Sequence, residues 1–188
     1  MKLAITGTIG SGKSVVSDYL RSKGYYVFDC DKCNAELLAK DSYAYNQIKY
    51  LYPEVFNDEE LDKSKLANLV FNNSLAKQKL ESIMHPLILM KMIMEMGKHD
   101  LFIAEVPLLF EFNWDSLFDK TILVATDDDL VINRLIDKGY DLNSAKSRIN
   151  SQMSLELKKK RANEIIYNND SLDSLFEAVD QLLAKYVR

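Results

Sequence analysis

A lysine and a serine close the stretch GTIGSGKS at residues 7–14, which matches G-x-x-x-x-G-K-[ST] and holds three of the six glycines in the 188-residue chain. In that pattern the loop's backbone N–H groups wrap the phosphates of a nucleotide. Lys13 reaches the β- and γ-phosphates, and the Ser14 hydroxyl sits on Mg²⁺. Glycines let the backbone approach phosphate oxygens, and the helix that follows contributes its positive N-terminal end. A bound triphosphate with Mg²⁺ is the chemistry these residues predict.

Phosphoryl transfer further needs a carboxylate to orient and deprotonate an attacking hydroxyl. VFDCD supplies Asp29 and Asp31 at i, i+2. On an extended segment both would share one face toward the phosphates, whereas in a turn only one would. Asp31 suits the base role and equally suits the cap of a helix starting near Lys32. In IAEVPLLFE, Glu105 lies inside an apolar stretch, where a charge is expensive unless paired. It can hold Mg²⁺ through water or back up Ser14, with a solvated edge as the alternative. Glu111 is either substrate-facing or plain surface. Arg134 and Lys138 share a helix face, with Arg148 and Arg161 further on. The arginines' guanidinium forks suit phosphates, although each residue alone could be a surface residue.

Positioning these groups requires apolar runs that alternate with helical patterns. Strands are expected at 2–6, 25–28, 101–106, 120–125 and 164–168, which implies a parallel sheet with helices on both faces. Ligands of such sheets gather at the carboxyl ends of strands. The first helix should run from near Lys13 to before Gly24. Between the second and third strands, helices are expected at about 32–40, 43–51, 61–71 and 74–97, with a loop around Pro53 and NDEE and a break or re-cap at His85-Pro86. That excursion exceeds the dozen or so residues a crossover needs, so part of it should build a wall for a substrate.

The formal net charge of −4 argues against a general nucleic-acid binder. It conceals a basic segment: from Arg134 to Arg161 there are eight Lys/Arg against three Asp/Glu. Such a run is either a solvated helical face or an anion-clamping lid. Neither a signal peptide nor an uncharged span of 18 residues is visible, so a cytoplasmic protein without a membrane partner is expected. Cys30 and Cys33 form C-x-x-C without a second pair to complete a zinc site, and read as ordinary partly buried residues of a reducing compartment.

Taken in order, TGTIGSGKS, VFDCD, HP, VPLLFE and RANEIIYNN resemble the dephospho-CoA kinase family, from Lys2 to about Leu175. The resemblance implies transfer of the γ-phosphate of ATP to the 3′-hydroxyl of the ribose of dephospho-CoA, the final step of coenzyme A synthesis. It implies ATP on Ile9, Gly10, Ser11, Gly12, Lys13 and Ser14, with Asn168 near the adenine. Asp31 would be the general base, working beside Lys13, and Ser14 and Glu105 would serve the metal. Asp29, His85, Glu111, Arg134, Arg148 and Arg161 are the expected substrate and lid residues, although His85 could also be a packing or capping histidine.

The implied fold is α/β: a three-layer P-loop kinase with a five-stranded parallel sheet flanked by helices. One domain is expected over 1–188, with its core at 1–31, 99–138 and 162–188. A helical acceptor-binding subregion would occupy about 32–98 and a lid about 139–161, in a monomer or small homo-oligomer. Thr8, Glu105, Lys138 and Asn163 stand where the family commonly has glycine, aspartate, arginine and aspartate. Glu105 adds a methylene, and Lys138 lacks the fork of an arginine. Two other readings remain open: a nucleoside or nucleotide kinase with a different acceptor, and a P-loop switch that phosphorylates no small molecule.

Overall fold

In the computed structural model, which describes residues 1–186, the chain forms two compact units, Met1–Asp29 with His99 onward, and Cys30–Lys98. The first is built on five parallel strands: β1 (Lys2–Thr6), β2 (Val27–Asp29), β5 (Phe102–Glu105), β6 (Lys120–Ala125) and β7 (Glu164–Tyr167). Their order in the sheet is β2-β5-β1-β6-β7, so β1 is central and its carboxyl end, where the glycine loop starts, is flanked on both sides. Each expected strand is present to within two residues at either end. The expected α/β fold with a parallel five-stranded sheet is the one observed.

Strand residues alternate in facing, as the two-residue period demands. Leu3, Ile5, Ile103, Ile122, Val124 and Ile166 enter one core with Val16 and Leu20 of α1 (Lys13–Ser22). The same core takes Leu175, Val179, Leu182 and Leu183 of α9 (Leu172–Leu183), and Tyr19 stacks on Phe176 at 4.0 Å. Complete burial of these side chains is worth about 1.5–3 kcal/mol each, which anchors the start of α1 and with it the phosphate loop. A smaller cluster of Val131, Leu135 and Ala145 with Ile9, Tyr140 and Ile149 packs α6 (Asp128–Asp137) and α7 (Leu142–Asn150) beside the loop. The segment continues through α8 (Leu155–Arg161), which lies against β6.

The second unit contains α2 (Cys30–Leu37), α3 (Tyr43–Leu51), a short hairpin of β3 (Phe56–Asn57) and β4 (Glu60–Leu61), α4 (Lys63–Asn72) and α5 (Ser74–Met96). Side-chain caps from Ser42, Asp62 and Asn73 start α3, α4 and α5, each satisfying backbone donors that a helix end leaves unpaired. Two expectations are corrected here. The NDEE segment is not a plain loop but the turn of a hairpin, in which Phe56 pairs with Leu61 and Asn57 with Glu60. Nor does His85-Pro86 break the last helix, since α5 runs through Pro86 for 23 residues. A mid-helix proline costs about 3 kcal/mol. Burial of Met84, Ile88, Met92 and Met96 along one stripe offsets that cost, and Ser82 and Pro86 both lie exposed, so the carbonyl that loses its donor is not sealed in the core.

Candidate active site

The stretch Gly7–Ser14 leaves β1 and enters α1 with the geometry a phosphate loop requires. Gly12 has φ +96°, and a Cβ placed there would lie 2.2 Å from Asn168 Nδ2. At Gly7 a Cβ would meet the Val124 carbonyl oxygen at 2.5 Å. Neither position has room for a side chain, which is the physical content of two glycines in the motif. The Lys13 ammonium, almost fully buried, donates to the Gly7 and Thr8 carbonyls at 3.0 and 2.8 Å. Thr8 also accepts the Ser11 N–H through its backbone. Its own hydroxyl is buried without a hydrogen-bond partner among the described residues, and nothing explains why a threonine stands there.

Ser14 Oγ donates to Glu105 Oε1 at 2.9 Å. Glu105 ends β5, is 4% exposed, and its Oε2 has no partner among the described residues. A buried carboxylate oxygen left unsatisfied costs free energy, and this one lies beside the loop hydroxyl, where its chemistry suits a cation. No group of three or more His, Cys, Asp or Glu placed to hold a metal ion exists among the described residues. A Mg²⁺ here would therefore depend on Ser14, Glu105, water and the nucleotide's own phosphates, as this hard cation commonly does.

Asn168 follows β7 and is buried under the loop, its Nδ2 donating to the Ser11 carbonyl at 2.8 Å. Thr126 Oγ1 reaches that same carbonyl at 2.9 Å. Arg134 spans the three strands of chain, donating to Asn168 O at 2.9 Å and to Gly10 O and Thr126 Oγ1 at 3.4 Å. Beside them opens a cleft of about 490 Å³ whose lining includes Gly10, Gly12, Lys13, Ser14, Val15, Arg134, Lys138, Asn168 and Leu172. Its volume and mixed lining suit a nucleotide.

The remaining expected residues lie on other elements. Asp29 closes β2 in register with Glu105, and its Oδ2 is 3.5 Å from Arg21. Asp31 lies two residues on, inside the first turn of α2. The chain changes from strand to helix between them, so the same-face rule for an extended segment does not apply. Because α2 begins at Cys30 rather than near Lys32, Asp31 is within the helix and not at the capping position outside it. Cys30 and Cys33 are both buried thiols. His85 is half-buried on α5, and burial pushes its pKa below the usual histidine value, with Glu81 pulling the other way.

The residues expected in a lid are each engaged by other groups of the protein. Glu111 is tied inward: its carboxylate pairs with Lys158 Nζ at 2.9 Å and accepts the Met153 N–H at 2.9 Å. Arg148 lies over the Tyr140 ring at 4.6 Å. Arg161 donates to Phe110 O, Asn113 and Asp115 at 2.8–3.1 Å. Of the three arginines, only Arg134 lines the cleft beside the loop. Lys158, one of the KKKR run, is fully buried, and burial lowers its pKa against the opposing pull of Glu111. Sequence reasoning missed Thr126, Lys158 and Gln152, whose Oε1 accepts the Ile9 N–H at 2.8 Å. Within the KKKR run nothing in the sequence distinguishes Lys158 from its neighbours, and no local signal existed for Gln152.

Comparison with known proteins decides the family. A protein-family model described as Dephospho-CoA kinase matches residues 1–174. The chain belongs to the dephospho-CoA kinase family. A Fusobacterium nucleatum dephospho-CoA kinase is 35% identical over 185 residues, covering 96% of each chain. A crystal structure of a Thermus thermophilus protein superposes with a TM-score of 0.89 at 34% identity, covering 100% of this chain and 98% of the other. A dephospho-CoA kinase from Campylobacter jejuni gives a TM-score of 0.73 at 28% identity over 98% and 97% of the two chains. The dephospho-CoA kinases are phosphotransferases that use ATP as donor, and the phosphate loop, sheet order and flanking helices described above are the P-loop kinase fold. No described helix is long and apolar enough to cross a membrane.

Proposed function

We propose that this protein transfers the γ-phosphoryl group of ATP to the 3′-hydroxyl of the ribose of dephospho-CoA, with Mg²⁺. The observation that carries the reading is the family match across residues 1–174, which includes the phosphate loop, the strand-end carboxylates and Asn168. Loop N–H groups of Gly10 to Ser14 hold the phosphates, and Lys13 neutralises charge on the β- and γ-oxygens. Ser14 and Glu105 hold the metal, supported by the buried, unpartnered Oε2. Bound there, Mg²⁺ would supply charge neutralisation on the triphosphate. Arg134 fixes the loop through Gly10 O and Asn168 O, and Val15 and Leu172 give the base apolar walls.

Asp31 is the general base for the acceptor hydroxyl. Asp29, two residues away, steers that segment through Arg21, and His85 belongs to the acceptor side. Arg148, Arg161 and Glu111 serve the reaction by bracing the lid rather than by touching phosphate, which their committed partners support. A coupled assay with ATP, Mg²⁺ and dephospho-CoA tests the reading, and absence of turnover refutes it. In the same assay Asp31→Asn should lower kcat by about 10²–10⁴-fold while ATP affinity changes little. Loss of ATP binding instead would make Asp31 a structural residue.

A further inference from the structure

The loop between α7 and α8, residues 151–154, is held from two sides. On one side Met153 N–H donates to Glu111, and buried Lys158 donates to Glu111 and to the Pro107 carbonyl. On the other, Gln152 Oε1 accepts the N–H of Ile9, the third residue of the phosphate loop, at 2.8 Å. A backbone N–H can only donate, so the end of the amide facing it has to be the oxygen. The Nε2 on the same carbon then carries two N–H donors beside the phosphate loop, with no partner among the described residues. A brace for Ile9 needs only an acceptor. Gln152 brings two surplus donors as well.

Ile9 and Gln152 are outside the lining of the cleft formed by Gly12, Val15 and Asn168. If the base enters that cleft and the helix N-terminus at Gly12–Ser14 takes the middle of the triphosphate, the donors of Gln152 lie toward its far end. We propose that Gln152 is a phosphate-contacting residue. It covers one loop donor, the Ile9 N–H, and presents two of its own to the γ-phosphoryl oxygens of ATP. A neutral amide gives directional hydrogen bonds to the transferring group without adding a charge that must be desolvated. It also couples the lid loop to the state of the nucleotide, because only a triphosphate reaches both. This inference rests on the kinase reading above.

Two variants separate a donor from a brace. Gln152→Met keeps the shape and removes both functions, whereas Gln152→Glu keeps an acceptor for Ile9 N–H and removes the donors. The measurements are calorimetric affinities for ADP and for the β,γ-imido analogue of ATP, kcat with dephospho-CoA, and thermal midpoint. Both variants should bind ADP within about threefold of the parent while losing about tenfold in analogue affinity, with kcat down about 100-fold. Gln152→Glu should keep the parent's thermal midpoint. Parent-like behaviour of Gln152→Glu would leave Gln152 as a brace. Equal loss of ADP and analogue in Gln152→Met would make it a general loop support, and a loss confined to Gln152→Glu would be charge repulsion; each overturns the proposal. The nucleotide arms need no acceptor, so failure of dephospho-CoA turnover in the parent would sink the kinase reading without deciding this one.

Discussion

Replacing Gly12 by alanine probes the loop's closest approach. The new Cβ would stand 2.2 Å from Asn168 Nδ2, at a residue whose φ is +96°. The left-handed backbone costs an alanine about 1–2 kcal/mol. Asn168 must also move, and its Nδ2 then loses the 2.8 Å bond to the Ser11 carbonyl in a site only 4% exposed. A buried polar group left unpaired adds about 1–3 kcal/mol, so Gly12→Ala should destabilise by about 2–5 kcal/mol, on the order of 10 °C in thermal midpoint. Asn168→Ala alone loses the same bond, at about 1–3 kcal/mol. In the double variant the clash is gone and only the backbone strain remains to be added. The two effects should therefore fall short of additivity by about 1–3 kcal/mol, measured by urea unfolding without nucleotide. Additivity within about 0.5 kcal/mol would refute the steric argument, and Gly12 would then be required for its φ alone.

Three further perturbations follow from the same geometry. Glu105→Gln keeps an acceptor for Ser14 Oγ but removes the charge, so the Mg²⁺ concentration for half-maximal rate should rise at least about tenfold; thermal midpoint should hold or increase, since an unpartnered buried carboxylate oxygen is relieved. Lys158→Met leaves Glu111, 19% exposed in its side chain, without its buried partner, at about 2–3 kcal/mol; thermal unfolding should show part of this recovered in a Glu111→Leu/Lys158→Met double variant. His85 binds its proton less readily folded than unfolded because burial lowers its pKa. The unfolded chain therefore takes up more protons around the ordinary value of about 6.5, and the His85 contribution is present above that pH and lost below it. Between pH 8 and pH 5 the thermal midpoint of the parent should fall relative to that of His85→Gln; parallel curves would remove the burial argument.

How much was legible in the sequence follows from how local each cause is. The phosphate loop, β1 and α1 are legible because glycine positions, a lysine, a hydroxyl and two periodicities sit within about twenty residues. Glu105 was legible as a paired carboxylate, since a charge in an apolar strand needs a partner, and the loop serine was the nearest candidate by motif. Pro86 misled because a local penalty was set against a buried apolar stripe from Met84 to Met96, and the stripe's burial depends on neighbours the proline does not announce. The start of α2 misled by two residues in the same way: Asp31 is a good cap by type, but the helix begins directly at the end of β2.

The lid shows where local reasoning stops. KKKR reads as one charge run, yet Lys158 is fully buried while Lys160 is exposed, and only the position of Glu111 and the Pro107 carbonyl explains the difference. Gln152 lies further out of reach, because its partner is a backbone N–H 143 residues away and a backbone donor leaves no mark in a sequence. Every residue type except proline carries one. The side chains that read plainly were those whose partners are also side chains or motif positions; those that join distant backbone to a ligand had to wait for the fold. For a kinase this divides the labour. The machinery expected to hold a triphosphate is spelled out in eight consecutive residues, whereas the bond that ties Gln152 to that loop joins segments separated by most of the chain.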